Sequence, residues 1–166
     1  LSTSYCSYNV MLRNNLLAYE PVAQPIKLLP VPHVRQHHLT CAPATLAALS
    51  AYFGQHVSQE DIAAEICFDG TPDTLERQWL RQHGYAFIEL ELNSAELCYQ
   101  LIDAELPFAL VTTYGMSAHL QAVVGYNKAL GTAYLMDPSC DTTTEMLLTQ
   151  TLADESASGP RAMVFV

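Results

Sequence analysis

Cys41, His119 and Asp137 are the residues of this chain whose types and settings could do acyl chemistry. Cys41 stands in Gln36-His37-His38-Leu39-Thr40-Cys41-Ala42-Pro43-Ala44-Thr45-Leu46. Leu46, Leu49 and Phe53 recur there at helical spacing, Pro43 suits a first turn, and Gly54 sits where a helix should stop. That puts the thiol at a helix mouth, where the positive end of the dipole and unpaired N–H groups favour thiolate, the nucleophilic form. The competing reading is a small apolar residue packed in a core, the commonest fate of a cysteine.

The partners of a nucleophilic thiol are sought in the second half. Ser117-Ala118-His119-Leu120-Gln121-Ala122-Val123-Val124-Gly125-Tyr126 alternates as a strand does, and so does Thr132-Ala133-Tyr134-Leu135-Met136-Asp137-Pro138. Residues 127–131 supply turn chemistry between them, which predicts an antiparallel hairpin. Folding it about Lys128 and Ala129 brings His119 opposite residues 137–139. Opposed residues have Cβ atoms about 5 Å apart on one face, so His119 can meet Asp137. A carboxylate there would fix the imidazole tautomer and stabilise the imidazolium, as a thiol's base requires. Taken singly, His119 also reads as a buried histidine with a satisfied N–H, and Asp137 as a turn-former before Pro138.

With these residues in view, the chain resembles the papain-like cysteine peptidases of the C39-like group, relatives of the bacteriocin-processing peptidases. The matching pieces are Val31-Pro32-His33-Val34-Arg35-Gln36, Cys41-Ala42-Pro43-Ala44, Ala51-Tyr52-Phe53-Gly54, the His119 strand through Tyr126, and Asp137-Pro138, over residues 29–139. The resemblance implies Cys41 as nucleophile, His119 as general base and acid, Asp137 as the orienting residue and Gln36 as an oxyanion-hole donor. It implies no cofactor, and a peptide or protein as substrate. Two residue-level departures stand out. Thr40-Cys41-Ala42 replaces the Asp-Cys-Gly usual in transporter-linked members, and Gln36 lies five residues before Cys41, one fewer than usual. Nothing resembles the membrane and nucleotide-binding parts that accompany trimming of double-glycine leaders, so that substrate is not carried across.

The same triad serves an acyltransferase or transpeptidase if an amine takes the acyl group in place of water, and a degenerate C39-like module could bind a peptide or partner without cleaving it. His37, His38 and Cys41 do not make a metal site: adjacent histidines diverge in any regular element, and no second ligand pair stands out.

The chain as a whole suits one domain. Its 166 residues can bury a substantial core, half of them are apolar, and no apolar run approaches the ~20 residues of a membrane-spanning helix. Seven basic against 17 acidic side chains argue against nucleic-acid binding. Cys6, Cys41, Cys67, Cys98 and Cys140 form no paired spacing, which predicts unpaired thiols and a reducing, cytoplasmic setting. Residues 1–30 read as a lead-in, with a short helix over 11–18 and an extended stretch at Pro21, Pro25 and Pro30. Residues 31–166 read as the C39-like domain, a piece of a longer bacterial protein with further domains.

Between the chemical pieces, Ser58-Gln59-Glu60-Asp61 predicts a capped helix to Ile66, and Thr71-Pro72-Asp73 another, with Leu75, Trp79 and Leu80 inward. Residues 85–92 read as a half-buried strand with Ala86, Ile88, Leu90 and Leu92 inside. Asn93 and Ser94 cap a helix to Ala104, residues 107–113 form a buried strand, and 162–166 another. The fold class is therefore α+β: a papain-like arrangement with a helical layer carrying Cys41 on an antiparallel sheet carrying His119 and Asp137.

Overall fold

The computed structural model describes residues 26–114, 117–152 and 161–166. The helix expected over 11–18, Pro21, Pro25 and Cys6 lie outside them. One seven-stranded sheet runs through the molecule in the order β2 (Phe87–Glu91), β7 (Arg161–Phe165), β3 (Phe108–Tyr114), β4 (Ser117–Asn127), β5 (Thr132–Met136), β6 (Thr144–Leu147). β1 (Ile26–Leu28), read in sequence as part of the lead-in, pairs with the far end of β4. Every pairing among the described residues is antiparallel.

The strand period of two separates the sheet's side chains into two cores. Leu120, Ala122 and Val124 pack against Leu46, Leu49, Ile62 and Trp79, so α1 (Cys41–Tyr52), α2 (Gln59–Ile66) and α3 (Asp73–Gln82) cover this face. Val123, Leu110 and Leu135 point the other way, onto Cys98 and Ile102 of α4 (Ala95–Asp103) and Leu148 of α5 (Leu148–Leu152). The helical layer over the sheet is the one expected. A second, thinner layer lies behind it.

Burial explains the differences from the sequence reading. α1 is covered on all sides, with Ala42, Ala44, Ala47 and Ala48 letting its neighbours approach, so it has no polar stripe. Edge strand β2 is not apolar on one face only: Tyr85 and Phe87 join the first core, Leu90 and Leu92 the second, and Ile88 is 61% exposed. β6 and α5 escaped the sequence reading because Glu145 breaks the apolar alternation. Glu145 is nevertheless buried, accepting from Thr132 Oγ1 at 2.5 Å.

Local signals hold where they were strong. Ser58 Oγ and Ser94 Oγ accept from Asp61 N and Leu97 N and cap α2 and α4. Asn127 Oδ1 accepts from Ala129 N and Leu130 N and shapes the β4–β5 turn. Cys41, Cys67 and Cys98 are free thiols, but Cys140 is disulfide-bonded, which corrects the expectation of unpaired cysteines. The thiol argument for a reducing compartment falls with it, because disulfides persist where the surroundings oxidise. Among the described residues no helix is long and apolar enough to cross a membrane.

Candidate active site

Cys41 is the first residue of α1, and the chain turns sharply to reach it. Leu39 adopts φ 58°, in the left-handed region. Thr40, at the N-cap, does not cap with its side chain; its Oγ1 instead accepts from His37 N at 2.9 Å and donates to Gln59 Oε1 at 3.0 Å. Gln59 Nε2 donates in turn to Arg35 O at 2.7 Å, so α2 holds the approach to the thiol. Thr45, one turn into α1, donates to Leu120 O at 3.1 Å and fastens the helix to β4 beside His119.

The β4–β5 pairing puts the imidazole and the carboxylate on one face. From Asn127↔Thr132 to Gly125↔Tyr134 the register would place His119 opposite Cys140. A bulge between Val123 and Gly125 shifts it by one, giving Ala122↔Met136, so that Ser139 falls opposite His119 and Asp137 shares its face. His119 Nε2 donates to Asp137 Oδ1 at 2.7 Å, their side chains 14% and 3% exposed. The same oxygen accepts from Ser139 N at 2.8 Å and Ser139 Oγ at 2.7 Å. The other ring nitrogen is left for Cys41, with which the imidazole is hydrogen-bonded.

Burial pushes the His119 pKa down. The hydrogen bonds that the ring makes to Asp137 and to Cys41, and both negative charges, outweigh it and raise the group to about 9. Burial likewise pushes the Cys41 thiol up, but the bond to His119, the Leu120 backbone, the imidazolium charge and the Ala42 backbone bring it below the ordinary thiol value. Asp137 is raised by burial and lowered more by His119 and Ser139, so it stays ionised. Each partner favours the charged form of the other, so the arrangement favours a thiolate–imidazolium pair braced by a carboxylate. Cys98, with burial alone acting on it, goes to about 12.

Cys41 and His119 open onto a cavity of about 340 Å³, with Gln36, Val111 and Glu76 also in its walls. Gln36 N donates to Pro138 O at 2.8 Å, and its Oε1 is buried with no partner among the described residues. The four residues singled out in the sequence thus meet at one place. His37 is engaged elsewhere, with Glu60 Oε1 at 2.7 Å, and neither it nor His38 lines the cavity. Ser139, Thr45 and Gln59 were missed. Only Ser139 left a signal, since Asp-Pro-Ser is a turn in which the aspartate side chain accepts from the residue two on.

The model of the Peptidase_C39-like family matches residues 28–157. The chain belongs to that family. Its C39-like domain superposes on the peptidase domain of Streptococcus ComA, described as a bi-functional ABC transporter of a quorum-sensing pathway, with TM-score 0.64 and 17% identity over 82% of this chain and 98% of that one. A C39-like peptidase from Bacillus anthracis gives TM-score 0.64 and 17% identity over 87% and 98%. The Streptococcus mutans ComA peptidase domain gives 0.52 and 18% over 81% and 98%. At these identities the likeness speaks for the fold. No curated protein matches the sequence.

Proposed function

We propose that this C39-like domain is a cysteine peptidase that cleaves a peptide bond through an acyl-enzyme on Cys41. The observation that carries the reading is the hydrogen-bonded chain from Cys41 through His119 to buried Asp137 at the mouth of a cavity. The thiolate attacks the substrate carbonyl carbon, and the oxyanion is met by the Cys41 backbone N–H and the Gln36 amide. The His119 imidazolium gives its proton to the departing amine. Water, deprotonated by His119, then attacks the thioester, and the thiol leaves as thiolate. Asp137 keeps the ring oriented and charged.

The test pairs wild type with Cys41→Ala on a mixture of peptides, read by mass spectrometry. Wild type is expected to give discrete cleavages and a trappable thioester; Cys41→Ala is expected to give neither, while melting within a few degrees of wild type. Turnover surviving in Cys41→Ala would remove the nucleophile. A wild type that cleaves nothing, and whose Cys41 alkylates no faster than Cys67 at neutral pH, would make the domain a peptide-binding module. Transfer of the acyl group to an added amine in preference to water would make it a transpeptidase.

A further inference from the structure

Three consecutive carbonyls directly after Asp137 are each held by a different residue of the segment 33–36. Gln36 N donates to Pro138 O at 2.8 Å, Arg35 Nη1 donates to Ser139 O, and His33 Nε2 donates to Cys140 O at 2.6 Å. Arg35 also faces Asp141 Oδ1 at 3.4 Å, across a pair exposed enough to add little. The loop so held is the one whose Ser139 orients the Asp137 carboxylate. Backbone meets backbone at Gln36, and side chains hold the other two carbonyls. His33 is suited to this: a carbonyl oxygen only accepts, so Nε2 carries the proton it donates, and Nδ1 is buried without a partner among the described residues.

We infer that residues 33–36 form a strap that sets Asp137 and Gln36 from a single stretch of backbone, with His33 and Arg35 as positioning residues for the acyl chemistry. The inference rests on the cysteine-peptidase reading for its function but not for its physical test. A strap that shifts carries Gln36 away from the oxyanion and Asp137 away from His119 together. His33 matters more than Arg35, because its bond is part-buried and the Arg35 side chain is 47% exposed.

The experiment measures iodoacetamide alkylation of Cys41 against pH by peptide mapping, alongside thermal melting, in wild type, His33→Ala, His33→Gln and Arg35→Ala. Where wild type turns over a peptide, kcat and KM are added. A glutamine amide can reach the Cys140 carbonyl from the place of Nε2. His33→Ala is expected to raise the alkylation midpoint by about one pH unit and to lower kcat about tenfold with KM within about twofold. His33→Gln is expected to restore both, and Arg35→Ala to give a smaller shift in the same direction. A folded His33→Ala with the wild-type profile would overturn the strap, as would a His33→Gln as impaired as His33→Ala. Should His33→Ala not fold, an unshifted Arg35→Ala overturns it equally. The alkylation profile needs no substrate, so a wild type without peptidase activity would end the peptidase reading and leave the strap to its own result.

Discussion

At the scale of single residues, the site is governed by how the charges of Cys41, His119 and Asp137 hold one another. The ion pair exists between the lowered pKa of Cys41 and the raised pKa of His119, about 9. Acid removes the thiolate and alkali removes the imidazolium, so the rate of peptide cleavage should fall on both sides. Asp137→Asn takes away a charge that raises His119. Its alkaline limb is expected to move below pH 9, with kcat/KM down about tenfold or more at neutral pH, read from a pH–rate profile. Gln36→Ala should cost about a hundredfold in kcat without loss of folding. His37→Ala and His38→Ala should cost much less in the same assay, since neither side chain lines the cavity. A histidine variant worse than Gln36→Ala would move the oxyanion donor to that histidine.

Among the elements, the β4–β5 hairpin depends on a close approach at its far end. Gly125 follows the bulge, and a Cβ there would lie 2.3 Å from Lys27 O and 3.0 Å from Leu28 Cα of β1. A backbone carbonyl cannot move aside as a flexible side chain can, so Gly125→Ala must push β1 off β4 or slip the bulge. The expected loss is about 1–3 kcal/mol in urea unfolding. If the bulge slips, parity changes, and Cys41 alkylation should show a midpoint nearer that of an ordinary thiol. The helix caps are independent of this: Ser58 and Ser94 act within their own first turns.

The whole molecule registers the ion pair in its stability. On folding the His119 pKa rises from 6.5 to about 9, and the Cys41 thiol falls below its ordinary value of 9.0. His119, raised on folding, loses its stabilising contribution as pH rises through that window. Cys41, lowered on folding, gains stability as pH rises toward its unfolded value, so it offsets part of that loss. In Cys41→Ala only the His119 part remains, held up by Asp137. Thermal melts are therefore expected to show Cys41→Ala losing stability more steeply than wild type from pH 7 to 9. Parallel pH dependences for the two proteins would mean that the folded pair is a neutral thiol and imidazole. Asp137, lowered on folding, contributes stability that is lost only as pH falls through its folded value.

What could be read without the structure was local or periodic. The helix mouth at Cys41, the capped starts at Ser58 and Ser94, the turn at Asn127 and the alternating strands about it each carry their cause within a few residues, and together they sufficed to single out Cys41, His119 and Asp137, whereas Gln36 was named through the family resemblance. The rest depended on pairings between distant segments. A strand pattern does not say where a bulge falls, and one residue of register decides which face Asp137 occupies. Burial of β2, the hidden strand around Glu145 and the second helical layer were set by what packs on each face of the sheet. The disulfide at Cys140 was invisible in cysteine spacing, and His33 and Arg35 acquired a role only when the fold laid the approach to Cys41 along the carbonyls after Asp137. Local sequence fixes conformation through short-range sterics and hydrogen bonds, whereas register and burial are properties of the packed whole.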